Sequence, residues 1–202
     1  NLSLYFLGGA SSSIVLGGFI DTPDGGTGVL LGKTYGIGFY NVFFENHTPV
    51  VTAPAEFMQI GTSDSLRSIG TVISGCHFSN VDNTQIMTGI DLAFANETTI
   101  IGGVFDSNSN VNDVGISIQS TSSNTQIINP VLIPSTGTGT LTLLSDSGVG
   151  TNITYYNEAS LDTLQVDTAL KVSGDAIFVR ASSDTLKVET TLHVSGDTTI
   201  TN

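Results

Sequence analysis

The sequence has few charged residues, and most of them are acidic. Only 11% of the 202 residues are charged, and 18 Asp and Glu against five Lys and Arg give a net charge of −13. Nucleic acids and anionic membranes both require a clustered positive surface on a protein partner. This charge balance therefore predicts no nucleic-acid partner and no membrane insertion.

Cysteine and histidine are too scarce for a disulfide framework or a metal centre. The one cysteine, Cys76, stands in the apolar run VISGCHF, where we expect a small buried hydrophobe. His47, His77 and His193 are scattered without the spacing of metal ligands. We expect neither a metal nor another cofactor.

Long hydrophobic runs are absent too. The opening NLSLYFLGGASSSIVLGGFI has no basic region, and its Gly and Ser residues interrupt the apolar stretch, which argues against a signal peptide. The sequence starts without Met and stops at ITN, within its own repeat pattern. We interpret it as a fragment of a longer protein.

Helical periodicity is missing, whereas strand-like runs are frequent. No stretch keeps apolar residues at i, i+3, i+4 and i+7 over three turns. Short β-branched and aromatic runs recur instead, separated by Gly, Asn, Asp and Ser. An all-β protein is predicted.

Two series of apolar runs alternate through residues 1–158. One comprises VLGGFI (15–20), FYNVFF (39–44), VISGCHF (72–78), IIGGVF (100–105) and IINPVL (127–132). The other comprises GVLLG (28–32), FMQIG (57–61), GIDLAF (89–94), GISIQ (115–119) and GTLTLL (139–144). Five such units predict a solenoid whose coils stack their strands in parallel.

The second residue of each run in the first series serves as a marker of equivalent positions. These markers are Leu16, Tyr40, Ile73, Ile101 and Ile128, at steps of 24, 33, 28 and 27 residues. The step of 33 coincides with TSDSLRS (62–68), which we expect to lengthen a loop.

Aromatic residues predict part of the core. Phe44, Phe78 and Phe105 occupy equivalent places in three coils and should stack in a buried column. An Asn follows the aromatic residue in FFEN (43–46), FSN (78–80) and FDSN (105–108). We expect left-handed backbone at these Asn residues, and we expect their side-chain amides to stack and hydrogen-bond from coil to coil.

This pattern resembles the right-handed parallel β-helix of phage tailspikes and of polysaccharide lyases and hydrolases. The resemblance lies in coil length, Asn placement and low charge, and it covers roughly residues 1–158. It implies a right-handed parallel β-helix domain over 1–158 and a host surface polysaccharide as the ligand.

The pattern changes at residue 159. DTLQVDTALKVSGD (162–175) returns as DTLKVETTLHVSGD (184–197), with the apolar positions kept and the polar ones altered. Each 22-residue unit has one apolar face and no partner of its own. The units resemble the L-x-V-x-G-D-x-T-I stalk repeats of phage and other viral fibres, in which three chains wrap around one axis. This resemblance implies that 159–202 forms a trimeric interwoven β stalk.

Acidic residues were searched for a glycan-cleaving pair, because hydrolysis needs two carboxylates about 5 to 9.5 Å apart. Asp91 points outward in GIDLAF by alternation, with Glu97 and Asp64 on nearby loops. Asp106 and Asp113 form a second loose group. Spacing pairs none of them, and acidic residues in turns are usually solvated, so no residue is assigned a catalytic role.

Aromatic side chains offer a different way to hold a glycan. Tyr35, Phe39 and Tyr40 cluster in TYGIGFYN, where Phe39 is expected in the core and only Tyr35 at the surface. Tyr155 and Tyr156 are expected to cap the last coil. Tyr35 is the candidate ligand-binding residue.

Three functions are compatible with these features. The favoured one is a structural and host-recognition part of a viral tail spike or fibre, an extracellular homotrimer in the virion tail that binds host surface glycan and other tail proteins. The second is a virion-borne polysaccharide depolymerase. Lys33 and Arg67 are the two basic residues of 1–158, too few to favour a lyase. The third, a secreted bacterial adhesin, fits the stalk repeats less well.

A charge in the stalk seam tests the predicted trimer. Each unit has about four to six inward aliphatic residues worth roughly 1.5 to 3 kcal/mol apiece, whereas ordering the backbone costs about 1 to 2 kcal/mol per residue. Leu170→Asp should therefore dissociate the trimer while the far-UV β signal of 1–158 persists. A heat-resistant trimer in this variant would show that Leu170 does not face the axis.

Overall fold

The computed structural model describes residues 4–21, 26–46, 55–81, 86–108, 112–133 and 138–155. These residues form 19 β-strands and one short 3-10 helix at Asp64–Leu66. No helix among them is long and apolar enough to cross a membrane. The stalk predicted for 159–202 lies outside the described residues.

The strands follow one another in short steps. They are β1 (Leu4–Leu7), β2 (Ile14–Leu16), β3 (Phe19–Asp21), β4 (Gly26–Gly32), β5 (Gly38–Tyr40), β6 (Phe43–Glu45), β7 (Ala55–Ile60), β8 (Ser68–Ile69), β9 (Val72–Ser74), β10 (His77–Val81), β11 (Met87–Leu92), β12 (Ala95–Asn96), β13 (Thr99–Ile101), β14 (Val104–Asn108), β15 (Asp113–Ile118), β16 (Gln126–Ile128), β17 (Val131–Ile133), β18 (Leu141–Asp146) and β19 (Asn152–Thr154).

Three parallel sheets run along the molecule. Sheet A has the order β1-β4-β7-β11-β15-β18, sheet B the order β2-β5-β9-β13-β16-β19, and sheet C the order β3-β6-β10-β14-β17. A short pair, β8 with β12, lies at the corner between sheets A and B. Because neighbouring strands in every sheet belong to successive coils, the described chain is a parallel β-solenoid of the right-handed type with about five turns. The predicted solenoid is confirmed.

The two series of apolar runs correspond to different sheets. The GVLLG-like runs supply sheet A, and each VLGGFI-like run supplies a strand of sheet B, a turn and a strand of sheet C. The loop lengthened by TSDSLRS is also confirmed, since it contains the 3-10 helix between β7 and β8.

Left-handed backbone recurs at two corners of the coils. The corner before sheet B places positive φ at Ser12, Gly36, Gly70, Glu97, Asn124 and Gly150. The turn from sheet B to sheet C does so at Gly17, Asn41, Gly75, Gly102 and Asn129. Gly and Asn adopt this conformation at least cost, which explains why they recur in the apolar runs.

The strand register moves the marker position of the third coil by one residue. Ile73 pairs with Phe39 and Ile100, all buried, so it faces the core. The outward residue equivalent to Tyr40 is Ser74. The marker Ile73 was wrong because VISGCHF begins one residue earlier, with the outward Val72, than the runs around it.

The predicted phenylalanine column is confirmed. The rings of Phe44 and Phe78 stack with centroids 4.7 Å apart, and those of Phe78 and Phe105 with centroids 5.1 Å apart. All three side chains are buried. Gly89 and Gly115 leave room for the last ring, since a Cβ on either would lie 3.1 Å from Phe105.

The predicted asparagine column holds only in part. Asn46 and Asn80 are buried, but the residue paired with Asn80 in the next coil is Ser107. Asn108 pairs with Val81, one position further, and is exposed. None of the three has a positive φ, so the left-handed backbone predicted there is wrong.

Removing a ring from the column should destabilise the solenoid. Phe105→Ala deletes a buried ring between two glycines, where little can refill the space, so we expect a loss of about 3 to 5 kcal/mol in unfolding free energy. Val104→Ala, on the half-buried outward side of the same strand, is the control and should cost less than about 1 kcal/mol. Denaturant unfolding measures both, and equal costs would contradict this arrangement.

Candidate functional site

Asp91 lies on the outer face of sheet A, as predicted, but its neighbours cover it. Its side chain is 6% exposed. Gln119 Nε2 donates hydrogen bonds to Asp91 Oδ1 and Oδ2 at 3.1 and 3.0 Å, and the side chains of Ser117 and Gln59 also bond to it. Its carboxylate oxygens are therefore occupied by side chains from the two neighbouring coils.

The carboxylate that interacts with Asp91 is Glu56, which the sequence pattern did not indicate. Glu56 lies on the adjacent strand β7, is 9% exposed, and accepts a 2.8 Å hydrogen bond from Thr27 Oγ1. Burial raises the pKa of Glu56 above its ordinary value, the bond from Thr27 opposes this, and the charge of Asp91 adds to the rise. Burial likewise raises the pKa of Asp91. The outward position of Glu56 in AEFMQI was the available signal.

Asp64 and Glu97 occupy other surroundings. Asp64 forms a 2.8 Å ion pair with Arg67, and its side chain is 85% exposed. Arg67 also donates to Asn96 Oδ1 at 2.9 Å and to the carbonyl of Thr121 at 2.6 Å. Glu97 is exposed at a left-handed corner. Arg67 thus links three successive coils, and Asp64 is one of the residues that this arginine holds.

Asp106 and Asp113 do not form one group. Asp106 lies on the outer face of sheet C, with Oδ2 2.7 Å from His77 Nε2. Asp113 is buried and accepts hydrogen bonds from Asn80 Nδ2 at 2.5 Å and from Ser107 Oγ at 2.6 Å. The second group predicted from the sequence is therefore wrong, because its members face opposite sides of the solenoid wall.

Metal ligation and thiol chemistry find little support in the described part of the chain. No three His, Cys, Asp or Glu side chains there lie close enough together to hold a metal ion. Cys76 is fully buried, and burial raises the pKa of its thiol. The prediction that Cys76 behaves as a small buried hydrophobe is confirmed.

A groove of about 250 Å³ opens on the first three coils, where sheet B begins. Its lining residues are Ser12, Ile14, Gly36, Ile37, Gly38, Tyr40, Gly70 and Val72. Gly38 stands between Ile14 and Val72 in one outward column, and its missing side chain makes room for the ring of Tyr40. We call these lining residues the tyrosine groove, and Tyr35 directly precedes the lining residue Gly36 in the chain.

Two tyrosines of one coil flank the glycines of this groove. Tyr35 is 45% exposed, as predicted, and Phe39 is in the core, as predicted. Tyr40 also points outward but is half-buried, so Tyr35 is the exposed ring of this cluster, as predicted. A Cβ at Gly38 would lie 3.2 Å from the Tyr40 hydroxyl, which shows that the ring folds back over this glycine.

The edge between sheets B and C carries a continuous strip without Asp, Glu, Lys or Arg along the described coils, and we call it the uncharged ridge. Its members are Leu16, Tyr40, Ser74, Ile101, Ile128 and Thr154 on sheet B, Gly17, Asn41, Gly75, Gly102 and Asn129 in the turns, and Phe19, Phe43, His77, Val104 and Val131 on sheet C. On the sheet C side, acidic residues begin one column further, with Asp21, Glu45 and Asp106.

Large apolar side chains are exposed on this ridge. Leu16 is 75% exposed, Phe19 49% and Val131 47%. The rings of Phe19 and Phe43 stack on the outside with centroids 5.7 Å apart. Leu16 and Phe19 lie on the first strands of sheets B and C and Val131 on the last strand of sheet C, and exposed apolar side chains grouped on one edge are typical of a contact surface.

Comparison of the chain with protein families, with characterised proteins and with solved structures finds no match.

The raised pKa of Glu56 predicts a pH-dependent stability. Because burial raises the folded-state pKa above the unfolded value of 4.5, stability from this group is full below that value and is lost as pH rises through the folded pKa. Glu56→Gln, which can still accept the bond from Thr27, should therefore raise the melting temperature at pH 7 and change it little at about pH 4.

Glu97→Gln provides the control for this measurement. Glu97 is exposed, so its replacement should leave the melting temperature nearly unchanged at both pH values. An equal effect of Glu56→Gln at pH 4 and pH 7 would contradict the assignment.

Proposed function

We propose that the chain is a structural and receptor-recognition part of a viral tail spike or fibre, which attaches the virion to a host surface glycan without cleaving it. The observation that carries this proposal is the tyrosine groove on the wall of a solenoid. The doubled 22-residue repeat at 162–197 supports a fibre rather than a free-standing adhesin.

The chemistry of the groove suits a neutral sugar. Tyrosine combines a flat apolar ring with a hydroxyl, so it can pack against the C–H face of a pyranose and bond to its hydroxyls. Ser12 adds a polar side chain at the same opening. Sites for drug-sized ligands measure about 300 to 1,000 Å³, so a groove of about 250 Å³ suits one sugar ring.

A depolymerase is the alternative. A glycosidase needs two carboxylates that reach opposite sides of the scissile bond. Asp91 and Glu56 interact, but side-chain partners occupy both and they are 6% and 9% exposed. This burial favours binding over cleavage.

Assembly follows from the same proposal. The fibre would be a homotrimer held by the repeats of 159–202, located in the virion tail and joined to other tail proteins. The solenoid would then be a side arm or shaft that displays its outer surfaces to the host.

Truncating Tyr35 tests the glycan site. Losing one aromatic contact worth about 0.5 to 1.5 kcal/mol should weaken binding roughly 2- to 10-fold. Tyr5→Ala is the matched control, because Tyr5 is 51% exposed on sheet A, away from the groove. Glycan-array screening followed by titration of the best ligand measures both variants.

The same preparations separate the two functions. Incubation with host polysaccharide should release no reducing ends while binding is retained. Release that is abolished by Asp91→Asn would establish the depolymerase instead. Equal binding by the Tyr35→Ala and Tyr5→Ala variants would move the glycan site away from the groove.

A further inference from the structure

We infer that the uncharged ridge is the surface through which the solenoids of identical chains contact one another, side by side and in parallel. This inference rests on the proposed trimeric fibre and goes beyond it, because the stalk repeats specify no face of the solenoid. The occupant of the ridge is a second copy of this chain.

Charge identifies that occupant. Each chain carries a net charge of −13, so two copies repel wherever their acidic surfaces meet. The ridge offers a strip along the described coils where identical copies can approach without opposing carboxylates. A basic partner protein would instead be drawn to the acidic columns beside the ridge, where Asp21 and Glu45 lie.

His77 does not disturb this charge pattern. The ring of His77 faces a carboxylate, with Nε2 2.7 Å from Asp106 Oδ2. Its ring also contacts Phe43 edge-on, with centroids 4.6 Å apart. The His77 ring nitrogen thus has its partner within its own chain, in a carboxylate at the border of the ridge.

Hydrophobic contact supplies the attraction. Leu16 and Phe19 at one end, Ile101 in the middle and Val131 at the other end are 75%, 49%, 38% and 47% exposed. Gly17 and Gly102 have open space around the position of a Cβ, so the turns between these side chains present little bulk. Because the ridge follows the solenoid axis, parallel copies align it over its length, and a cyclic arrangement closes the set.

Cysteine cross-linking of the full chain tests the ridge against an opposite corner. Val131→Cys and Leu16→Cys place thiols on the ridge. Val149→Cys places one at the corner between sheets A and B, and Val149 is 64% exposed. Val131 and Val149 are thus the same residue type, both exposed, on different edges of the solenoid.

A short bismaleimide linker at micromolar protein should join the ridge variants into covalent dimers on a denaturing gel. We expect at least about five-fold more dimer from Val131→Cys and Leu16→Cys than from Val149→Cys, since pairing requires nearby thiols. The unaltered chain gives the baseline, because its own Cys76 is fully buried and the pKa of that thiol is raised.

Native mass measured on the same samples separates the outcomes. A trimer whose ridge thiols remain unlinked, or whose Val149→Cys links equally well, overturns the ridge and leaves the trimeric fibre standing. A monomer with unlinked ridge thiols overturns both, and a different protein would then be the occupant.

Discussion

Parallel hydrogen bonding between successive coils is the constraint on which the rest of this molecule depends. It holds neighbouring strands about 4.8 Å apart, so that equivalent residues lie directly above one another. The ring spacings of 4.7 and 5.1 Å in the phenylalanine column match this separation. Every position in a coil therefore becomes a column, and an inward column needs apolar side chains that stack along its length, whereas an outward column can vary from coil to coil.

The sequence predicts which side chains of a single run point inward, but it does not predict contacts between residues of successive coils. Apolar alternation and turn residues placed Phe44, Phe78 and Phe105 correctly, because one run specifies each inward side chain. The electrostatic interaction of Asp91 with Glu56 was missed, since the two residues are far apart in the chain and share one sheet face only through the pairing of β7 with β11. For the same reason, the sequence did not predict that Gln119 covers Asp91.

The outside of the solenoid is divided among surfaces of different chemistry. Sheet A carries buried polar networks around Asp91, the corner before sheet B carries the tyrosine groove, and the edge between sheets B and C carries the uncharged ridge. The groove and the ridge share Tyr40, whereas the network around Asp91 lies on a separate sheet, so in the proposed assembly a copy of the chain would pack beside the proposed glycan site. A function of this kind leaves no compact motif in the sequence, because its residues recur about one coil apart.

Because left-handed residues recur at the same corners of successive coils, each coil adds the same increment to the length of the solenoid. Each described coil turns at the same places, with Gly, Asn or Ser at most of them, and the strands between these corners have nearly constant register. A duplicated or deleted coil would therefore preserve the cross-section and every column, while changing the height of the rod by about 4.8 Å. Evolution can then adjust how far the molecule projects from its base in increments of one coil, without redesigning its core or its edges.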